Sequence, residues 1–392
     1  MCQSSSESTR YQHPEPITQQ EIVLSGTDVA ASVRPWESGA FTVIRKLQDA
    51  PMNSGKVFFM KSADGSADVA VKQMPNGWVT KSPQEFKALH PKSAENPWND
   101  MSFLQLLQER ECPYSVKLMG AFRDEEWTYV VTSLATEGDL FGYCQRLPTL
   151  GLAREVQLRP IVKQLFSAVH WIHERGMAHG DLSLENIVVT REGDAMQVKL
   201  IDFGMSTVQR NSGAKVSGKQ AYLAPEVYKR RLYCPFRCDA YAIGIVLFAA
   251  AAEDYPWTIS KPGVCRSFEY ACTYGFQKFI QKRRSATNVP LAEIFSPSFA
   301  ELLEGLLEPI PERRLIISVS MGVYDDSSST TSSGEDEEEE EEEPDATVWS
   351  SSWLTADLGE EDITPTAAPV VASKVEPIVV EEEASTSKTT CH

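Results

Sequence analysis

The stretch H-G-D-L-S-L-E-N-I-V-V, residues 179–189, decides how this chain is read. Asp181 follows His179 by two residues, Asn186 follows Asp181 by five, and a β-branched run closes the stretch. Downstream, V-K-L-I-D-F-G occupies residues 198–204 and A-Y-L-A-P-E-V residues 221–227, and V-A-V-K stands upstream at 69–72. Singly, these are a strand lysine, a loop asparagine and turn aspartates. Their joint order is what those separate roles do not explain.

Periodicity divides the chain around them. F-T-V-I-R-K-L from Phe41, K-V-F-F-M-K-S from Lys56 and D-V-A-V-K-Q-M from Asp68 are β-branched or aromatic runs between turn residues, which predicts consecutive antiparallel strands. Met101, Leu104 and Leu107 at spacing three predict a helix over Asn99 to Arg110, and S-V-K-L-M-G-A-F and T-Y-V-V-T-S-L-A predict two more strands. After Gly138 the pattern turns helical; V-Q-L-R-P-I-V-K-Q-L-F-S-A-V-H-W-I-H-E-R-G is apolar on one face and ends in glycine. Strands first and helices after predict an α+β protein of two lobes.

In these motifs the chain resembles the eukaryotic protein-kinase family, whose catalytic loop reads H-R-D-L-K-P-E-N, whose metal loop reads D-F-G and whose activation segment closes with A-P-E. The resemblance covers about Ala40 to Leu315. It implies a two-lobed protein-kinase-like fold, with a β-rich N-lobe over residues 37–136 and a larger helical C-lobe over 137–320. It also implies transfer of the ATP γ-phosphate to hydroxyls of protein substrates, with ATP and Mg²⁺ as cofactors. That chemistry needs metal against the phosphates, neutralised charge and a positioned acceptor more than it needs covalent help. By resemblance, Asp181 is the catalytic base, Asn186 and Asp202 hold Mg²⁺ through hard oxygens, and Lys72 holds the α and β phosphates. Leu47, Val57, Ala70 and Val188 would sandwich the adenine, with Thr132 as gatekeeper, the backbone of Ser133 and Ala135 on its edge and Asp139 near the ribose. Asp239 and the pair Glu226 and Arg314 match structural positions. Glu185 stands where tyrosine kinases place arginine, which together with Y-L-A-P-E implies serine or threonine acceptors.

The departures from the family pattern carry as much information. The glycine-rich loop G-x-G-x-x-G is here L-Q-D-A-P-M-N-S-G-K-V, two residues longer and keeping only Gly55, so fewer backbone amides can approach phosphate closely. The helix that normally offers a glutamate to the strand lysine offers Asp100 in one register and Phe103 in another; with Asp100 the carboxylate is one methylene shorter. Gly180 replaces the arginine that docks a phosphorylated activation loop, so activity is expected not to depend strongly on phosphorylating Ser206, Thr207, Ser212 or Ser217. Ser183 stands where the family's Ser/Thr kinases place a lysine, and Lys219 where they place a threonine. An exchange of roles follows as an expectation, with Lys219 joining the catalytic set and supplying the charge Ser183 lacks; the bland reading is a surface lysine.

Composition sets the remaining bounds. Of 392 residues, 37 are Lys or Arg and 55 Asp or Glu, a net charge of −18. Residues 321–392 hold 20 acids and 2 bases, so the excess lies there and the body balances at 35 of each. Such a body argues against nucleic-acid or anionic-membrane binding. The apolar run Tyr241 to Ala252, 12 residues, suits a buried helix rather than a membrane span. Scattered cysteines and an N-terminus without a signal pattern predict an intracellular, reducing compartment, cytoplasmic or nuclear.

Residues 1–36, rich in Ser, Gln, Thr and Pro, are expected to be disordered, as is the acidic tail from Met321 with nine consecutive acids at Glu335 to Glu343. The tail reads as a solvated spacer, or as a docking element for a basic partner or for Lys278, Lys282, Arg283 and Arg284. Ser332 and Ser333 fit acid-directed kinases, and Trp349, Trp353 and Leu354 are either incidental aromatics or a partner-binding segment. Against an active Ser/Thr kinase stand two other readings: a pseudokinase scaffold, from the degraded phosphate loop and Ser183, and an interaction protein working through its tail.

Overall fold

In a computed structural model the described residues are 14–50, 54–213, 217–229, 232–318 and 347–355. Helix α1 (Gln19–Ala31) precedes strands β1 (Arg34–Pro35), β2 (Phe41–Ala50), β3 (Gly55–Ser62) and β4 (Asp68–Pro75), then helices α2 (Pro83–Leu89) and α3 (Pro97–Glu109), then β5 (Leu118–Arg123) and β6 (Trp127–Ser133). The sheet runs β1-β5-β6-β4-β3-β2, antiparallel except for the short β1–β5 pair. Strand alternation sends Val69 and Val71 into a cluster with Met60, Tyr129 and Val131 on one face. Ala70 and Lys72 therefore point to the other face, where register sets Lys72 opposite Val57 and Ala70 opposite Thr132.

The second lobe begins with β7 (Gly138–Asp139), α4 (Leu140–Cys144) and α5 (Leu152–Glu174), followed by the hairpin β8 (Ile187–Glu192) and β9 (Ala195–Leu200). Beyond it come β10 (Ser212–Gly213), α6 (Glu226–Lys229), β11 (Leu232–Tyr233), α7 (Pro235–Ala252), α8 (Arg266–Tyr274), α9 (Phe276–Lys282), α10 (Leu291–Ile294) and α11 (Pro297–Leu306). Helix α7 extends the apolar run to 18 residues and is long and apolar enough to cross a membrane, but 89% of it is buried inside the fold. It is the axis of the large core that also holds Leu165, Phe166, Phe203 and Leu303.

Two expectations of disorder are corrected. Residues 19–31 form α1, nucleated by a capping box in which Thr18 and Glu21 bond each other's backbone. Its buried stripe, Ile22, Ser25, Gly26 and Val29, is small and half polar, so it reads as linker in sequence and becomes an interface only against α3. Residues 1–13 lie outside the described residues, as do Glu335 to Glu343, Ser332 and Ser333.

The second correction concerns the tryptophan segment, which belongs to the helical lobe rather than to a free tail. Thr347 bridges Ile316, Val348 and Trp353 are fully buried, and α12 (Ser352–Thr355) closes the segment. The Trp353 ring lies 5.0 Å from that of Phe299 with the Arg159 guanidinium 5.0 Å above it, and its Nε1 donates to Glu155 Oε2 at 3.2 Å. Trp349 Nε1 donates to the Ile317 carbonyl at 3.0 Å. Aromatic burial of this kind outweighs the ordering entropy of a short segment, which isolated aromatics in an acidic run do not announce.

Removing Trp353 leaves a cavity and strips a donor from Glu155. Trp353→Ala is expected to lower unfolding free energy by about 3–5 kcal/mol in denaturant titration.

Candidate active site

One carboxylate organises the loop that holds Asp181 and Asn186. Asp239, 1% exposed in the first turns of α7, accepts from the backbone N–H of His179 at 2.7 Å and of Gly180 at 2.9 Å, and its Oδ2 lies 3.0 Å from His173 Nε2. These bonds hold Gly180 at φ +80°. A Cβ there would stand 2.6 Å from the Met205 carbonyl oxygen, so the backbone path itself demands glycine. The neighbouring His179 is buried, which keeps it neutral, and its Nε2 lies 3.1 Å from the Ile201 carbonyl.

From that base the loop presents Asp181 and Asn186. Asn186 Nδ2 donates to the Asp181 carbonyl and to Asp181 Oδ2, both at 2.8 Å, which leaves its Oδ1 for a cation. Burial pushes the Asp181 carboxyl up to about 7; Asp202 and Glu95 add to the rise while Lys219 and Asn186 oppose it. Asp202, in the left-handed region at φ +65°, faces Lys72 from the neighbouring D-F-G turn.

Lys72 Nζ lies 3.3 Å from Asp202 Oδ1 and 3.5 Å from Asp100 Oδ2. Burial works against its charge, yet Asp202, Asp100 and Glu95 together raise its pKa above the ordinary lysine value. One lysine serves two carboxylates unequally. Burial raises the more enclosed Asp100, whereas for Asp202 the attraction of Lys72 overcomes burial and keeps the carboxylate ionised. Asp100 Oδ1 also accepts from the Phe203 N–H at 2.8 Å, tying α3 to the D-F-G turn. The other register's residue, Phe103, is buried in the core.

The residues expected around an adenine are brought together in part. Val57, Ala70, Lys72 and Thr132 share the sheet face described above, and Val188 is nearly buried in β8 beneath it. Leu47 is exposed on β2, Gly55 starts β3 after Ser54 at φ +56°, and residues 51–53 lie outside the described residues. Ser133 ends β6 and Ala135 follows it in the connection between lobes, both half-buried. Asp139 caps α4, its Oδ1 accepting from Gly142 N–H at 2.7 Å.

Lys219 closes over the loop from the activation segment. Its Nζ donates to Ser183 Oγ at 2.5 Å and to Glu185 Oε2 at 2.9 Å. A cavity of about 210 Å³ opens beside it, lined by Gly180, Asp181, Met205, Lys219, Tyr222 and Cys238 among others. Farther down, Arg314 and Glu226 form a buried two-point pair at 2.6 and 3.0 Å.

Glu95 was not singled out by the sequence. It sits in the turn before α3, acts on both Lys72 and Asp181, and its neighbour Asn96 donates its N–H to the Gly204 carbonyl at 3.0 Å. The signal available was Asn96-Pro97, a helix start that carries the preceding turn over the D-F-G segment.

The donor set fits a magnesium ion. Asp202 and Asn186 Oδ1 are hard oxygens on adjoining turns, and Mg²⁺ completes its shell with phosphates and water rather than with a dedicated protein cage. No cluster of three or more acidic, His or Cys ligands occurs among the described residues.

Comparisons with known proteins converge on the same frame. The model of the family described as "Protein kinase domain" matches residues 53–321. The chain is 31% identical over 221 residues to CBL-interacting protein kinase 25 of Oryza sativa subsp. japonica, covering 55% of this chain and 40% of that protein. It is 28% identical over 267 residues to CBL-interacting serine/threonine-protein kinase 13 of Arabidopsis thaliana, 67% of this chain and 46% of that protein. Against the Hormonally up-regulated neu tumor-associated kinase of Mus musculus it is 29% identical over 215 residues, 54% of this chain and 28% of that protein. The chain thus matches less than half the length of each of these curated relatives. With the family model spanning most of the chain and the lysine, aspartates and asparagine assembled in one cleft, this chain belongs to the protein kinase domain family.

Proposed function

We propose that the chain is a serine/threonine protein kinase that transfers the γ-phosphate of Mg-ATP to hydroxyls of protein substrates. The observation that carries this is the convergence of Lys72, Asp202, Asp100, Asn186 and Asp181 around one cleft, which a scaffold has no chemical need to keep. The relatives named as serine/threonine kinases support the acceptor type. Lys72 would hold phosphate oxygens, Asp202 and Asn186 would bind Mg²⁺, and Asp181 would orient the acceptor hydroxyl and take its proton. Mg²⁺, when bound, supplies charge neutralisation at the phosphates.

Lys219 is proposed as the residue that meets the transferred phosphoryl group, in place of the lysine that Ser183 lacks. Its Nζ reaches Ser183 Oγ and its charge acts on Asp181, which supports the exchange. The enzyme is also proposed to work without activation-loop phosphorylation. Gly180 carries no docking cation, and Ser206 is buried with its hydroxyl donating to the His179 carbonyl at 2.9 Å. The glycine-poor phosphate loop favours the pseudokinase reading as the alternative, in which the cleft binds nucleotide without turnover.

An intracellular site, cytoplasmic or nuclear, is proposed alongside, supported by Cys112, Cys144, Cys238, Cys265 and Cys272, which form no disulfide. A basic partner for the acidic tail stays a proposal as well. Within the cluster named for it, Arg283 pairs with Asp254 at 2.6 Å, Arg284 bonds the Asn288 carbonyl at 2.7 Å, and Lys282 lies 4.7 Å over the Tyr270 ring.

Transfer of labelled γ-phosphate to a generic protein substrate tests the main reading, with an expected fall of about 10²–10⁴-fold for Asp181→Asn. No transfer by the wild-type chain, with Mg-ATP bound in calorimetry, would move the reading to pseudokinase. Lys219→Ala should cut kcat by about 10²–10³-fold with nucleotide affinity nearly unchanged.

The pH profile follows from Asp181. As a base it must be ionised, so kcat/KM for ATP should rise with pH through about 7. The Lys219 charge pulls that carboxyl down, so Lys219→Ala should move this acid limb to higher pH. Restoring the family arginine, Gly180→Arg, should destabilise the fold by about 1–3 kcal/mol rather than confer phosphorylation control, because the backbone at φ +80° has no room for a Cβ.

A further inference from the structure

We propose that α1 is a built-in backstop that holds α3 at the depth where the short carboxylate of Asp100 reaches Lys72. The proposal rests on the kinase reading for the meaning of that ion pair, and it concerns a segment no family motif includes. Asp100 and Ser102 are two residues apart on α3, about 200° around the helix, so they face opposite sides. On one side Asp100 meets Lys72 at 3.5 Å and the Phe203 N–H at 2.8 Å. On the other, Ser102 meets α1.

That contact is unusually close and built from small residues. Ser25 Oγ donates to the Ser102 carbonyl at 3.1 Å. Gly26 lies so near that a Cβ would stand 2.7 Å from Ser102 Oγ and 3.2 Å from Pro83 Cγ. Val29 joins the apolar cluster of Trp98 and Met101, while Ile17 and Ile22 join that of Phe103, Leu106 and Leu107. The start of α1 is pinned twice. The Glu21 carboxylate pairs with Arg110 at the end of α3, Oε1 to Nη2 at 2.6 Å, and the Ile17 N–H donates to the Arg175 carbonyl past the end of α5 at 2.8 Å.

The reason for such a device is length. An aspartate reaches one C–C bond less than a glutamate, about 1.5 Å, so α3 must sit that much nearer the sheet or the pair opens. Small residues where α1 crosses α3 leave the helix no slack on its outer side. Gly26 and Ser25 are therefore positioning residues for the Lys72–Asp100 pair, acting through α3.

The test uses the full chain carrying Gly26→Leu, which forces α1 off Ser102. Phosphate transfer should fall at least 10-fold, and amide hydrogen exchange should speed up at least 10-fold in α3 while α7 keeps its protection. Adding Asp100→Glu should restore transfer to within about threefold of wild type, because the longer side chain spans the retreat of α3; alone in the wild-type background it should bring no gain. Transfer and α3 exchange like wild type in Gly26→Leu would overturn the proposal, and so would a loss that Asp100→Glu leaves unrescued. If the leucine variant does not fold, Gly26→Ala replaces it, with the same loss and rescue expected on a smaller scale and wild-type behaviour counting against. Should the wild type transfer no phosphate, the kinase reading fails separately and the α3 exchange comparison decides this one.

Discussion

The loop that carries Asp181 and Asn186 hangs from a buried carboxylate near the start of the most buried helix. Asp239 has almost no water contact, so its charge is tolerable only with donors in place, and the donors it takes are the backbone amides of His179 and Gly180. That requirement couples the core to the catalytic loop. Helix α7 cannot pack without fixing the loop's backbone, and the fixed loop in turn sets where Asp181 and Asn186 stand. Gly180 is a consequence: the path that satisfies Asp239 passes through a region where a side chain would strike Met205.

Around that fixed loop the charged groups stand at other positions than in the family pattern. The carboxylate facing Lys72 is shorter, and α3 sits where the shorter one still reaches, with Glu95 adding negative charge from the preceding turn. The cation missing at Ser183 has a neighbour in Lys219, which arrives from the activation segment and bonds both Ser183 and Glu185. Coulomb interactions depend on where charge is, not on which residue number bears it. A cleft can therefore keep its electrostatic pattern while its motifs drift.

Segments outside the motif-bearing region complete each lobe. Helix α1 backs α3 in the first lobe, and Thr347–Thr355 fills the surface between α5 and α11 in the second with Trp353 buried against Phe299 and Glu155. Both segments are short, and neither has an apolar surface large enough to order by itself. Each is ordered by a complementary surface: a close small-residue contact for α1, an aromatic pocket for Trp353.

Much of the architecture was legible beforehand, and for identifiable reasons. The strands around Val69–Lys72 and the helix ending at Gly176 announce themselves through local periodicity, and the order of Lys72, Asp181, Asn186 and Asp202 identifies the cleft because few arrangements demand those residue types in that sequence. The choice between Asp100 and Phe103 lay beyond such reading, since both fit a helical register; only α3 packed against the sheet shows the carboxylate beside Lys72 and the ring in the core. The same holds for Glu95, for α1 and for Trp353. By itself, then, the sequence determined the elements, the family resemblance and the identities of the chemical groups, because these follow from local pattern and residue type. Only the tertiary structure decided which acid meets Lys72, what Lys219 touches and that the apparent linkers at residues 19–31 and 347–355 are parts of the fold, because those depend on surfaces that exist only once distant segments have packed.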